Sequence, residues 1–312
     1  MQNILFIANA LETFNLKTDS TYLLLVTAQE MGYNVYCCQA CDISYSNNQV
    51  YAQANLISID NSRNDQNWFK VINSTSLDLN YFSAGVHVRT DPPVDLEYLN
   101  LTQLLSIAEK QGVKVYNNSS SLRNFNEKLA ILNFSHLCTP TMISKNKTAI
   151  LDFINLHNSC VIKPLNQMAG RGVFKIDKND INLLAIIEIT TKYYNETVMI
   201  QKFIPDVVNG DRRVFIIHGK VMEYCVCRVP QSGQIRSNLA AGGSGKAVTL
   251  TEDNYRIANE VAIWLQQQKI IFAGLDIIGS YLNEINITSP TGLPLINREV
   301  GVNLAKIILG TK

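Results

Sequence analysis

The stretch that most constrains how this chain can fold is Phe272-Ala-Gly-Leu-Asp-Ile-Ile-Gly-Ser-Tyr-Leu-Asn-Glu-Ile-Asn-Ile-Thr-Ser-Pro290. Apolar and β-branched residues on both sides of a Gly predict two strands joined by a turn at Gly279-Ser280-Tyr281. Glu284 and Asn286 are two residues apart and therefore share a strand face. The side taken by Asp276 depends on the turn. A two-residue loop pairs Asp276 with Asn283 and sends Glu284 to the opposite face. A three-residue loop containing Gly pairs Asp276 with Glu284 and sets three oxygen-bearing side chains on one surface. Two carboxylates and an amide are hard oxygen ligands, suited to Mg²⁺ held jointly with the phosphates of a nucleotide. Singly, each also fits the wet face of a half-buried hairpin. Together, inside an apolar run, they point to a metal.

At 312 residues the chain exceeds a single core, so two or three substructures are expected. Hydrophobic residues at 46% and charged residues at 17% fit a soluble globular protein, and a formal net charge of +1 gives no ground for a nucleic-acid or membrane-surface partner. No apolar run is long enough to span a bilayer, and Met1-Gln-Asn-Ile-Leu-Phe-Ile-Ala8 reads as a first strand rather than a signal peptide. Seven Cys is an odd number, and Cys37, Cys38 and Cys41 are too crowded for a disulfide framework. Neither these nor Cys225 and Cys227 form matched zinc-type pairs, so free thiols in a reducing cytoplasm are expected.

Asn3 to Ala8 predicts a strand, Asp19-Ser20 an N-cap, Met31-Gly32 the end of that helix, and Val35 to Cys38 the next strand. This rhythm predicts an open α/β layer. Residues 42–80 are polar, poorly periodic and assigned to no element. A strand at Ala84 to Val88 runs into Arg89-Thr-Asp91-Pro-Pro93, followed by a helix from Asp95 to Gln111 and a strand from Val113 to Tyr116. Arg89 lies just beyond a strand's carboxyl end, where open α/β sheets bind ligands; it fits a fork for a substrate carboxylate and, equally, an exposed Arg at a Pro-rich turn.

A helix from Asn124 would carry Glu127 and Lys128 in its first turn, where a Lys opposes the macrodipole and needs another reason to be there. Ser159 to Lys163 predicts a strand, returning at Val173 to Ile176 through Asn166-Gln-Met-Ala-Gly170-Arg-Gly172, a loop small enough to fold its N–H groups over phosphates. It is not a Walker A sequence. Strands follow at Val198 to Ile204, Val214 to His218 and Val221 to Arg228. Gln231 to Lys246, with Arg236 and Asn238, reads as a long loop able to cover a site. Thr249 and Glu252 predict a capping box, and a terminal helix runs from about Val302 to Leu309. The four His have no Cys or acidic partner at nucleophile spacing and read as structural.

Several segments together resemble a bacterial glutathione synthetase of the ATP-grasp superfamily. They are Arg-Thr-Asp-Pro-Pro at 89–93, Ser-Leu-Arg-Asn-Phe-Asn-Glu-Lys-Leu at 121–129, Ile-Lys-Pro-Leu at 162–165 and Gln-Lys-Phe-Ile-Pro at 201–205. Gly-Asp-Arg-Arg-Val at 210–214 and Arg-Val-Pro-Gln-Ser-Gly at 228–233 continue the series. The strongest are Arg-Ser-Asn-Leu-Ala-Ala-Gly-Gly-Ser-Gly at 236–245, Gly-Leu-Asp-Ile-Ile-Gly at 274–279 and Glu-Ile-Asn-Ile-Thr-Ser-Pro-Thr-Gly at 284–292.

The resemblance implies an α/β ATP-grasp fold: an N-terminal open-sheet substrate domain at 1–123, a small lid at 124–200 and a C-terminal sheet unit with the metal site at 201–312. It implies ligation of γ-glutamylcysteine to glycine through an acyl phosphate, giving glutathione, ADP and phosphate. Lys128 and Lys163 would hold the ATP phosphates, Gln201, Lys202, Phe203 and Ile204 would line the adenine pocket, and Asp211 would reach the ribose. Asp276, Glu284 and Asn286 would bind Mg²⁺, with Mn²⁺ as a substitute. Arg213, Arg228, Ser289, Arg89 and Asp91 would hold the peptide, and Arg213, Arg228, Arg236 and Asn238 would serve catalysis, the last two from the mobile loop. A cytoplasmic homo-oligomer, dimer or tetramer, is implied, with no nucleic-acid or membrane partner. The family's smaller Gly-Met-Gly-Gly phosphate loop is replaced here by Gln-Met-Ala-Gly-Arg-Gly, and Arg171 either assists the phosphates or faces water. Competing readings are an ATP-grasp ligase with another acid or amine, and a nucleotide-binding protein without catalysis.

Overall fold

The computed structural model describes residues 1–62, 67–237 and 243–310. Its strands form three sheets, one for each substructure. The first contains β1 (Asn3–Ala8), β2 (Asn34–Cys38), β3 (Ile43–Ser46), β4 (Gln49–Ile59), β5 (Phe69–Asp78), β6 (Gly85–Arg89) and β7 (Val115–Tyr116), in the order β3-β4-β2-β1-β6-β7 with β5 on β4. β2, β1, β6 and β7 are parallel. They are buried because α1 (Ser20–Glu30) and α2 (Leu96–Lys110) pack on the sheet, which is why β1 is apolar from Ile4 to Ala8. Asp19 caps α1 by accepting the N–H groups of Thr21 and Tyr22, and Asp95 caps α2 through Tyr98 N–H.

Residues 42–80, unassigned from sequence, supply a hairpin of two long antiparallel strands, β4 and β5. The strand signal is present in Val50, Ala52 and Ala54, all buried, but a bulge at Leu56/Ile57 shifts the alternation onto Ile57 and Ile59. β5 is exposed over most of its length and lacks an apolar face to read.

After α3 (Ser119–Asn124), a 3₁₀ segment spans Leu129–Leu137, so the helix expected from Asn124 is not formed and Lys128 stands just ahead of that segment. The second sheet has the order β10-β9-β11-β8, from β8 (Thr141–Ser144), β9 (Ser159–Pro164), β10 (Phe174–Asp177) and β11 (Val198–Lys202). α4 (Lys147–His157) and α5 (Leu183–Thr190) cover it over a core of Ile150, Ile154, Ile162, Ile187 and Ile200. β11 continues through Lys202, so the division expected at residue 200 cuts through a strand.

The third sheet is antiparallel and ordered β15-β14-β12-β16-β17, with β13 on β12. Its strands are β12 (Asp211–Ile217), β13 (Lys220–Val221), β14 (Tyr224–Val229), β15 (Ser244–Thr249), β16 (Phe272–Ile278) and β17 (Tyr281–Asn286). β15 begins inside the segment read as a loop to Lys246. One face packs Val214, Ile216, Leu275 and Ile277 against Ile257, Val261 and Leu265 of α6 (Glu252–Gln267). The capping box of α6 is Thr251 with Asn254, two residues later than predicted, because Thr251 supplies the oxygen that bonds Asn254 N–H. On the other face, Phe215, Ile217 and Phe272 lie under α1, α7 (Leu293–Val300) and α8 (Leu304–Leu309). α7 went unread from sequence; its Pro294 fits the first turn of a helix. The rest of that face, toward Asp211, Asp276 and Glu284, is polar and borders a cleft.

Candidate active site

The metal-type hairpin resolves the question of its turn in an unexpected way. Its loop has two residues, Gly279-Ser280, with Ile278 opposite Tyr281 and Ile277 opposite Leu282. A bulge between Asp276 and Ile277 then brings Asp276 opposite Glu284 and Gly274 opposite Asn286. The extra residue is Asn283. The result is the three-oxygen surface that a three-residue loop was expected to produce, reached by a short turn plus a bulge.

Neighbouring strands extend this surface. Register places Arg213 beside Asp276, and Asp211 beside both Ile278 and Arg228. Arg213 Nε donates to Asp276 Oδ1 at 2.5 Å and Nη2 to Oδ2 at 3.0 Å, a two-point fork. Arg228 Nε donates to Asp211 Oδ1 at 2.6 Å, while its Nη2 lies 2.8 Å from Asp276 Oδ1 without hydrogen-bond alignment. Ser237 donates a further bond to Asp211. Burial alone would raise the Asp276 carboxyl, but the two guanidiniums outweigh it and hold the acid below its ordinary range. Burial likewise opposes the charge on Arg228, and Asp211 and Asp276 more than restore it. Gly274 has to be glycine: a Cβ there would stand 2.7 Å from Cδ of Arg213, whose stem crosses it.

Two lysines face this surface. Lys163, buried at the end of β9, donates to Gln201 Oε1 at 2.6 Å and to Asn283 Oδ1 at 2.8 Å. Burial lowers its pKa to about 8. Lys128 donates to Gln167 O at 2.7 Å and pairs with Glu284 at 3.0 Å. Burial opposes its charge too, but Glu284, helped by Glu127 and Asp276, raises its pKa. This pairing supplies the reason for a Lys at that position. The loop 166–172 carries Ala169, Gly170 and Gly172 at positive φ of 55°, 73° and 67°.

The residues converge on one cleft of about 280 Å³. Lys128, Lys163, Gln201 and Lys202 line it from the lid side, Phe203 and Ile204 from the segment that follows β11, and Asp211, Arg213, Arg228, Asp276, Glu284 and Asn286 from the sheet. Asp91 and Ser289 border it from the N-terminal side, and exposed Arg236 lies at its rim. Arg89 does not line it. Its guanidinium is buried, donating to Thr21 Oγ1 and Pro290 O at 3.1 Å each, so it braces the wall and does not face the cleft. Asn238 lies outside the described residues.

Three side chains escaped the sequence reading. Asn283 is the bulged residue, invisible without the register. Glu127 accepts Ile287 N–H at 2.8 Å, Thr288 N–H at 3.0 Å and Thr288 Oγ1–H at 2.8 Å, fixing the segment after β17. Asn117 binds Ile271 N–H, Phe272 N–H, Phe272 O and Ile287 O, tying β7 to both strands of the hairpin. A carboxylate beside Lys128 was the available hint for Glu127; nothing local marks Asn117.

The donor set fits Mg²⁺. Among the described residues no group of three or more His, Cys, Asp and Glu forms a metal cage, but Asp276, Glu284 and Asn286 present hard oxygens on one face. Such a partial shell suits an ion that completes its coordination with phosphate oxygens.

Residues 2–123 match the family model described as prokaryotic glutathione synthetase, N-terminal domain, and residues 127–301 the one described as prokaryotic glutathione synthetase, ATP-grasp domain. The chain belongs to the prokaryotic glutathione synthetase family. A glutathione synthetase of Neisseria meningitidis serogroup A is 40% identical over 304 residues, covering 97% of this chain and 95% of that protein. The Ralstonia nicotianae glutathione synthetase is 37% identical, covering 98% and 94%. Solved structures share the fold at low identity. The D-cycloserine synthetase DcsG has a TM-score of 0.65 at 13% identity, covering 95% of this chain and 94% of that one. The ATP-grasp ligase PsnB, complexed with a precursor variant, Mg and ADP, has a TM-score of 0.62 at 14% identity, covering 99% and 96%. The fold is therefore ATP-grasp, and the chain is an ATP-dependent ligase of that family.

Proposed function

We propose that this chain joins γ-glutamylcysteine to glycine at the expense of ATP, forming glutathione, ADP and phosphate. The observation that carries the reading is the cleft itself: two lid-side lysines face paired carboxylates and two fixed arginines, with family membership along nearly the whole chain. The units are assigned as 1–123 for substrate, 124–202 for the lid and 203–312 for the metal face.

ATP lies between lid and C-terminal sheet. Lys128 and Lys163 meet its phosphates, Gln201 to Ile204 flank the adenine, and Asp211 borders the ribose. Asp276, Glu284 and Asn286 would hold Mg²⁺, which would supply charge neutralisation for phosphoryl transfer. The cysteinyl carboxylate attacks the γ-phosphorus and ADP leaves. The glycine nitrogen then attacks the acyl carbon, the carbon–oxygen bond to phosphate breaks, and the amine loses a proton. Positioning and charge neutralisation carry this chemistry, so no protein nucleophile is required. Arg213 and Arg228, locked by Asp276 and Asp211, offer fixed donors that need not reorganise as charge develops. Arg236, exposed at the rim, is placed to shield the acyl phosphate from water.

All seven cysteines are free thiols and no helix among the described residues is long and apolar enough to cross a membrane. The thiols support a cytoplasmic setting, and the family resemblance supports a homo-oligomer. ADP release with Mg·ATP and γ-glutamylcysteine, with and without glycine, and mass detection of the product test the reading. Release that requires glycine and yields glutathione is expected. ADP release only with another acid or amine would replace the substrates, and ATP binding without turnover would favour a non-catalytic protein.

A further inference from the structure

We infer that Glu127 binds the amino group of glycine, the acceptor amine; the inference rests on the ligase reading above. Glu127 stands directly before Lys128, and both line the cleft. Its backbone oxygen accepts Ile285 N–H at 3.0 Å. Its side-chain Oε1 accepts Ile287 N–H at 2.8 Å, Thr288 N–H at 3.0 Å and the Thr288 hydroxyl at 2.8 Å. The residue is thereby clamped against the stretch that leads from Glu284 and Asn286 on the metal face to Ser289 on the N-terminal side. All three side-chain bonds fall on one oxygen. No described residue donates to Oε2, and no described cation forms an ion pair with this carboxylate.

The other carboxylates of the cleft are differently engaged. Asp211 and Asp276 are paired with arginine. Glu284 keeps one oxygen free of hydrogen bonds but is paired with Lys128 and belongs to the metal face. Asp91 has a donor on each oxygen, Asn9 Nδ2 at 2.9 Å on Oδ2 and the Ser289 hydroxyl on Oδ1. Glu127 thus combines a carboxylate without a counter-ion and a whole oxygen without a donor. Burial, and after it the like charge of Glu284, push its pKa up, so an added cation would relieve the carboxylate. Three bonds on Oε1 hold Oε2 in a fixed place, which is what a positioning acceptor requires.

The place of Glu127 selects which amine it meets. In the proposed reaction the acyl phosphate forms where the phosphates over Asp276 and Glu284 reach the cysteinyl carboxylate. Glu127 lies at that junction, with Lys128 as its chain neighbour and the segment before Ser289 hung on its Oε1. The glutamyl ammonium is at the far end of the dipeptide, whereas the glycine nitrogen has to arrive at the acyl carbon itself. An N–H of glycine donated to Oε2 holds the nitrogen beside that carbon. A substrate with a hydroxyl in the same position carries no positive charge and offers one donor in place of several, so the site discriminates against it.

Steady-state kinetics of the wild-type protein and of Glu127→Gln test the assignment. The variant keeps a side-chain oxygen for Ile287 and Thr288 but replaces Oε2 by a donor, so the KM for glycine should rise about 10- to 100-fold, far more than the KM of γ-glutamylcysteine or Mg·ATP. Glycolate, with a hydroxyl in place of the amino group, serves as an inhibitor competitive with glycine. Its Ki in the wild-type protein should exceed the glycine KM by at least about tenfold, and Glu127→Gln should bring the two close together. A purely structural role through residues 287 and 288 would weaken glycine and glycolate alike and leave their ratio standing, which overturns the inference. An unchanged glycine KM, or an effect confined to the dipeptide, overturns it too. Should Glu127→Gln not fold, Glu127→Asp decides: a retained preference for glycine over glycolate supports the inference, and its loss overturns it. A wild-type protein that holds both equally overturns it without any variant. No glutathione from the wild-type protein overturns the ligase reading and the inference with it.

Discussion

Replacing Gly274 by Ala adds one methyl group at the place where the catalytic surface is most tightly packed. The new Cβ would meet Arg213 Cδ at 2.7 Å, Arg213 Nε at 3.2 Å and Pro290 Cβ at 3.3 Å. Ordinary carbon–carbon contact requires the Arg213 stem to retreat by roughly 0.8 Å or more. Its guanidinium holds Asp276 through bonds of 2.5 and 3.0 Å, and a retreat of that size breaks the two-point geometry. Overpacking of this kind costs about 1–3 kcal/mol, or roughly 2–4 °C in Tm for each kcal/mol in a chain of this class. Displacement of a positioning group by about 1 Å lowers turnover on the order of 100-fold. Steady-state kinetics of the ligase reaction and a thermal melt of the same preparation measure both effects. Wild-type kcat/KM together with a wild-type Tm would show that Arg213 does not cross Gly274 as described, and the argument for a locked arginine fork would fall.

Three further outcomes follow from the same geometry. Arg228→Ala removes the partner of two buried carboxylates, so urea unfolding should show a loss of about 3–5 kcal/mol along with a raised KM for the dipeptide; normal stability would contradict the buried ion network. Lys163, held near pKa 8 by burial, should lose its charge above that pH in the free protein, so kcat/KM for ATP falls on the alkaline side while charge is complete below it. A profile flat to pH 9.5, about 1.5 pH units above that value, would remove Lys163 from the phosphates. His87, stacked on Phe6 with the Tyr116 ring tilted against it, is lowered to about 3 by burial and then by Arg89 and His218. Its folded pKa lies below the unfolded one, so its neutral burial is undisturbed above about pH 6.5 and stability declines as pH falls toward 3, by at most about 1.4 kcal/mol per pH unit. His87→Leu should flatten that acid limb in urea titrations, and an unchanged slope would assign the acid sensitivity elsewhere.

Much of the cleft was legible because its side chains sit in short segments whose local pattern is unusual. Carboxylates and an amide inside an apolar hairpin, and a Lys closing a buried strand, conflict with plain core-building, and the structure brings these residues together. What escaped depends on register. The bulge that adds Asn283 reverses the inference drawn from turn length, and the bulge in β4 hides a strand by shifting its alternation. Arg89 looked like a substrate fork at a strand end, but bonds to Thr21 and Pro290, remote in sequence, turn it into the wall. Asn117 is the extreme case: its four bonds reach partners more than 150 residues away, and no local pattern announces them.

In the proposed reaction this cleft activates the cysteinyl carboxylate by transferring to it the γ-phosphoryl group of ATP. Labelling both oxygens of that carboxylate in γ-glutamylcysteine with ¹⁸O and analysing the products by mass spectrometry tests it most directly. One labelled oxygen is expected in the inorganic phosphate and one in the new peptide carbonyl of glutathione, with ADP as the nucleotide product. Unlabelled phosphate, or label appearing in AMP, would contradict it.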